Sequence, residues 1–234
     1  MTREELLQSA KPILFNTEMV RAILDGRKTV TRRLVKPQPK MPLAFTFAGH
    51  RHGTWGYPSD DAWKYWGEKY RLPSGLSEED KKRCWTPPYK ADDILYVRET
   101  WAPVYPDIET NEVCGYLYKI DSLEDYDKRY PEGKEYQWSG TWKPSIHMPK
   151  EAARIFLKVK DVRVERLQEM RSEDALNEGI KVSRFDLPHT GVVSRFKNIW
   201  NSTIKKSDLG KYDWDANPWV WVIEFERVKM DDGE

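Results

Sequence analysis

Apolar and polar residues alternate with a period of two in several short runs of this chain, and fewer runs show helical spacing. That balance predicts a strand-rich mixed fold. The clearest run is the last, where Trp219, Trp221, Ile223 and Phe225 face one way and Val220, Val222, Glu224 and Glu226 the other. Asp93–Glu99 reads as another strand, with Ile94, Tyr96 and Arg98 opposite Leu95 and Val97. Between residues 152 and 167, Ile155, Leu157 and Val159 alternate in one phase and Val162 and Val164 in the other. The slip predicts a β-bulge near Lys160-Asp161, the kind of bend a barrel strand needs. Lys11–Phe15, Val30–Val35 and Tyr116–Ile120 read as further strands.

Helical spacing marks three segments. Met19, Val20, Ile23 and Leu24 form an apolar stripe, with Asn16 or Thr17 available as the N-cap and Gly26 as the stop. Ser172 is expected to cap a short helix that carries Glu173 and Asp174 in its first turn and ends at Gly179. A third helix is expected over about 191–206, with Val193, Phe196 and Trp200 inward.

Residues 36–91 break this regularity with closely set prolines and glycines, and 102–150 form a second irregular stretch. Both read as insertions in a single domain spanning 1–234. In the first, Trp63, Trp66 and Tyr70 sit at helical spacing. In the second, Trp142–Pro149 is expected to be an ordered loop. Scattered strands with short helices between them predict an α/β (α+β) fold, a small mixed β-barrel with a helix or two over its mouth.

Composition narrows the function. No apolar run approaches the roughly 20 residues of a membrane span, and the N-terminus lacks the form of a signal peptide. Cys84 and Cys114 are the only cysteines, so no disulfide framework is expected and a cytoplasmic location is. A net charge of +1 leaves no global field for gripping a long duplex. Local charge is another matter, since Arg21, Arg27, Lys28, Arg32, Arg33, Lys36 and Lys40 fall close together. This is either a solvated helix end and loop or a nucleic-acid contact.

Lys28, Thr31 and Glu178 are the residue types that acyl transfer or amide hydrolysis requires. A hydroxyl or an activated water attacks, a lysine assists deprotonation or steadies negative charge, and a carboxylate shuttles protons. On a regular strand, Lys28 and Thr31 would point to opposite faces, so their convergence requires a turn at Thr29-Val30. Glu178 stands at a helix C-terminus, where the dipole disfavours a carboxylate; it reads either as a functional residue or as the solvated surface glutamate common near helix ends.

Gly26-Arg27-Lys28-Thr29-Val30-Thr31-Arg32-Arg33 matches Gly-x-Lys-x-x-Thr-x-Arg in full. In that signature and in the order of the later strands and helix, the chain resembles the ASCH family of the PUA-like superfamily. Over its whole length it looks like the ASCH proteins of bacteriophages and prophages, sharing phrases such as Lys11–Val20 and Trp142–Pro149. The resemblance implies a PUA-like barrel with a cleft between barrel and helices. It also implies the activity of small bacterial ASCH enzymes that remove the acetyl group from N(4)-acetylcytidine. Carried over by position, Thr31 is the nucleophile or orients it, Lys28 activates it, and Glu178 is the acid/base toward the cytosine amine. Arg33 matches the signature arginine and would hold the pocket or a phosphate, with Arg32 beside it as a further substrate contact. Those enzymes are about half as long, lack both insertions, and follow their glutamate with Asn where Gly179 stands here.

Arg98 and Trp101, at the end of the Asp93–Glu99 strand, read either as a base-contacting wall or as a strand-end ion pair with a Trp plugging the barrel. His50, His52, His147, His189 and the two cysteines never reach zinc-site spacing. No metal and no cofactor is expected. The leading expectation is an amidohydrolase acting on an acylated cytidine or a related modified pyrimidine nucleoside. A module that binds RNA, single-stranded nucleic acid or a modified base is the alternative, with ribonuclease activity lying between the two. A phage accessory protein that makes protein–protein contacts is a third.

Overall fold

The computed structural model describes residues 2–40, 44–46, 54–56, 84–106, 112–122, 125, 137–138, 140–181 and 191–229. Trp63, Trp66, Tyr70, His50, His52 and His189 lie outside them.

A five-stranded sheet forms the frame. Its strands are β1 (Lys11–Leu14), β2 (Val30–Leu34), β6 (Ile94–Arg98), β10 (Phe156–Arg166) and β11 (Trp219–Arg227). They are ordered β1-β6-β10-β11-β2, with β1 and β6 parallel and the other pairs antiparallel. The last strand is apolar on both faces because both are covered. Trp219, Trp221, Ile223 and Phe225 pack with Ile13, Phe15, Leu95, Val97, Leu157 and Val159. Val220 and Val222 pack with Val30, Leu167, Ala175, Phe196 and Trp200. The register of β10 against β11 slips between Val159 and Asp161, where the phase change placed the bulge.

The architecture is therefore mixed α/β with a mostly antiparallel sheet. The barrel expected from sequence is not closed by its strand ladder, since β1 and β2 are edges. The edges nevertheless come within a side chain's reach, for Arg33 Nη2 on β2 donates to the Leu14 carbonyl on β1 at 2.8 Å.

Four α-helices accompany the strands of the frame among the described residues. In α1 (Arg3–Ser9), Thr2 and Glu5 form a reciprocal capping box, and Leu6 is fully buried. Nothing in the apolar spacing had pointed to this helix; the Thr-x-x-Glu spacing was its signal. In α2 (Thr17–Leu24), the Asn16 side chain accepts from Met19 N at 2.9 Å. In α3 (Ser172–Asn177), Ser172 is the first helical residue and not the cap. The start is fastened instead by the Asp174 carboxylate, which accepts from Arg171 N at 2.8 Å. In α4 (Val192–Thr203), Val192, Phe196 and Trp200 are the buried positions, and Val193 is only partly buried at the side of that core. Among the described residues, no helix is long and apolar enough to cross a membrane.

Short strands from the two proline-rich and irregular stretches form two further three-stranded sheets. One comprises β3 (Ala44–Thr46), β4 (Thr54–Gly56) and β5 (Cys84–Trp85); the other comprises β7 (Trp101–Tyr105), β8 (Gly115–Tyr118) and β9 (Gln137–Trp138). Trp85 ties the first to the frame, being buried in the main core with its indole N–H on the Pro37 carbonyl at 2.7 Å.

Candidate functional site

The site begins with two helix ends laid side by side. After α2, Gly26 takes φ +72°, and the amides of Arg27 and Lys28 both donate to the Ala22 carbonyl at 2.9 Å. The chain then runs extended through Lys28 and Thr29 into β2. Thr29 N donates to the Asn177 carbonyl and Phe225 N to the Thr29 carbonyl, each at 2.8 Å. After α3, Gly179 takes φ +93°, a conformation that glycine adopts at least cost. The two backbones meet in an isolated antiparallel bridge between Lys28 and Glu178.

That meeting buries a charged pair. The Lys28 ammonium donates to Glu178 Oε2 at 2.5 Å, to the Val30 carbonyl at 2.8 Å and to the Glu178 carbonyl at 3.0 Å. All three of its protons are thus matched to acceptors. The lysine side chain is 0% exposed and the glutamate side chain 5%. Burial lowers the Lys28 pKa from its ordinary value; Glu178 works against that shift, and the charges of Arg33 and Arg32 add to it.

Glu178 has a second cation. Arg32 Nη1 lies 3.4 Å from Glu178 Oε1, and Arg32 Nη2 lies 3.5 Å from Glu165 Oε2 and 3.9 Å from Asp174 Oδ2. The Arg32 side chain is 1% exposed. This residue, expected from sequence as a substrate contact, is surrounded by Glu178, Glu165 and Asp174. Along β2, Arg32 pairs with Val222 whereas Thr31 and Arg33 pair with Ile223 and Trp221, so Arg32 faces away from Thr31 and Arg33.

Thr31 is buried, paired with Ile223 on β11. The turn at Thr29-Val30 that would have swung it toward Lys28 is absent; the reversal occurs earlier, at Asp25-Gly26. The hydrogen bonds of the cluster accordingly join Lys28, Arg32 and Glu178 without its hydroxyl. Arg33 holds the Leu14 carbonyl, and its guanidinium and the Lys28 ammonium lie 5.4 Å and 5.6 Å from the Phe15 ring centroid. Burial lowers the Arg33 pKa, with Glu178 and Tyr89 opposing.

Arg98 and Trp101 stand apart from this cluster. Arg98 donates to the Ile146 carbonyl. Trp101 is buried with Tyr96, Tyr118, Met148 and Phe156, edge-on to Tyr116 at 5.8 Å. Its ring is committed to packing. The strand-end ion pair exists, but its members are Glu99 and Arg154: Arg154 Nε and Nη2 bond the two Glu99 oxygens at 3.0 and 2.9 Å, and Nη1 lies 2.7 Å from Asp121. No local spacing links positions 99 and 154, so sequence patterning gave no signal for this pair. Among the described residues, no group of three or more His, Cys, Asp or Glu side chains is placed to hold a metal ion.

Two clefts flank the site. One, of about 420 Å³, is lined by Glu18, Arg27, Gly179, Ile180, Lys181, Arg195, Asn198 and Ile199. The other, of about 360 Å³, has Glu165 and Asp174 in its wall and so adjoins Arg32.

Fold and site together define a mixed α/β protein with a buried lysine–glutamate pair backed by a buried arginine. Comparison with family models, with curated proteins and with solved structures finds no match to this chain.

Proposed function

We propose that the protein is an amidohydrolase acting on N(4)-acetylcytidine or a related N-acylated pyrimidine nucleoside, with Lys28 and Glu178 as its proton-transfer groups. The observation that carries this reading is the direct contact between Lys28 and Glu178, 150 positions apart in sequence, buried together at the junction of two helix ends. Burying a charged pair is costly compared with packing apolar residues there, so its presence favours a chemical use. A lysine whose proton is destabilised by burial, touching a carboxylate, can pass that proton at a pH where an exposed lysine would keep it.

In this mechanism the cytosine amide takes the place of the Lys28–Glu178 contact. Lys28 polarises the acyl carbonyl or relieves the attacking group of its proton, and Glu178 delivers a proton to the departing amine. Thr31 either attacks the acyl carbon through its hydroxyl, giving an acetyl ester that water then hydrolyses to acetate, or orients a water that attacks directly. In both cases the proton lost by the attacking oxygen passes through Lys28 and Glu178 to the departing amine. Arg33, beside Phe15, holds the wall of the pocket through its bond to the Leu14 carbonyl. The same reading assigns the sheet and its curled edges to the PUA-like fold, and the chain to the phage-type ASCH proteins whose signature it carries. Incubation of the purified protein with N(4)-acetylcytidine tests the proposal. Release of acetate and cytidine is expected, and turnover that survives both Lys28→Ala and Glu178→Ala refutes the assigned roles.

Binding of single-stranded nucleic acid is the second reading, favoured by the 420 Å³ cleft. Arg27, Lys181 and Arg195 outnumber Glu18 among its charged walls, and Gly179 links it to the site.

A further inference from the structure

We propose that Arg32 is a positioning residue for the Lys28–Glu178 site: by holding one oxygen of Glu178 it fixes the other against Lys28. The proposal rests on the reading of that pair as proton-transfer groups and extends it to a residue outside the signature match.

Three carboxylates from two segments surround the Arg32 guanidinium: Glu165 on β10, and Asp174 on α3 with Glu178 at its C-terminal cap. Optimised arginine–carboxylate bonds run at about 2.7–2.9 Å, whereas these separations are 3.4 to 3.9 Å. Arg32 Nε is buried without a hydrogen-bond partner. An arginine this buried and this loosely paired is a poor device for stability, because apolar packing of similar volume usually serves as well or better. Its placement makes sense as a tether. Glu165 and Asp174 hold the guanidinium from the outer side, and it presents one amine to Glu178 Oε1 while Lys28 occupies Oε2.

The tether has an electrostatic consequence. Lys28, Arg32 and Arg33 are the cations around Glu178, and Glu165 and Asp174 are the further anions facing Arg32. Arg32 therefore steers the carboxylate and also opposes protonation of the neighbouring lysine.

The test is the titration of Lys28 followed by NMR in protein labelled at the lysine ε-carbon, its resonance assigned by its loss in Lys28→Met. In Arg32→Gln, the Lys28 titration is expected to move upward, because a repelling charge is gone. Arg32→Lys keeps the charge and should leave it near the wild-type position. Arg32→Met replaces the Gln variant if that protein does not fold, an apolar side chain being easier to bury than an amide. On N(4)-acetylcytidine, kcat is expected to fall about 100-fold in the charge-removing variant with little change in KM. Arg32→Lys should recover a large part of it. An unmoved Lys28 titration in the folded Gln or Met variant overturns the proposal, as does a raised KM with unchanged kcat. If the wild-type protein turns over no acylated cytidine, the amidohydrolase reading fails while the NMR titration still decides the role of Arg32.

Discussion

Gly179 lies so close to Ala22 that a Cβ added to it would stand 2.6 Å from the Ala22 Cβ and 3.2 Å from the Lys28 Cβ. Contact between Lys28 and Glu178 depends on this approach, because the bridge between their backbones forms only where the end of α3 can press on the end of α2. Gly179→Ala is expected to destabilise the fold by about 2 kcal/mol or more, combining left-handed strain with overpacking. Ala22→Gly should relieve the overpacking and leave the strain. A double-mutant cycle by denaturant unfolding separates the two.

Removing Glu178 leaves Lys28 buried without a counter-charge, and removing Lys28 leaves Glu178 only its longer contact with Arg32. Lys28→Met and Glu178→Gln are each expected to cost about 3–5 kcal/mol. The double variant should cost clearly less than the sum of the singles. Chemical denaturation of the three proteins checks this, and strict additivity would contradict the pairing.

The pH dependence follows from the lowered Lys28 pKa. Between that folded value and the unfolded value of about 10.4, the unfolded chain binds more protons at this residue, so its contribution to stability rises with pH. It is lost as the pH falls through the folded pKa. The stability difference between wild type and Lys28→Met, measured across the alkaline range, should therefore shift in favour of wild type as pH increases toward about 10.4.

Thr31 separates folding from chemistry. Its hydroxyl takes no part in the bonded cluster, so Thr31→Val should melt within about 1 kcal/mol of wild type. Turnover of N(4)-acetylcytidine should nevertheless fall about 100-fold or more, with Thr31→Ser retaining activity. Full activity in the valine variant would remove Thr31 from the mechanism.

For the nucleic-acid reading, Lys181 in the wall of the larger cleft is the informative position. If single-stranded RNA lies there, Lys181→Gln should reduce the slope of log affinity against log salt by about 0.7. Binding titrations over a range of salt concentrations measure it, and an unchanged slope places the strand elsewhere.

Local patterning revealed a large part of the frame. The alternation in Trp219–Phe225, the phase slip before Val162 and the glycine stop after Leu24 each have a counterpart in the structure, because each reflects the neighbours of a single residue along the chain. The site was legible only in its members. Lys28 and Glu178 were singled out by residue type, position and family likeness. Their contact, and the approach of Arg32 to Glu178, depend on how α2 and α3 end against each other. Local spacing carries no information on that. The extended path through Thr29 was missed for the same reason, since it is imposed by bonds to Asn177 and Phe225 from distant parts of the chain.

The stitch from Arg33 to Leu14 has a consequence for how this protein behaves at high concentration. On the free edge of β1, the carbonyls of Pro12 and Leu14 are already taken by the Tyr89 hydroxyl and by Arg33. Pro12 itself offers no amide. An incoming strand from another molecule would find few groups to pair with there, so the residue that faces the site also guards the sheet against edge-to-edge aggregation.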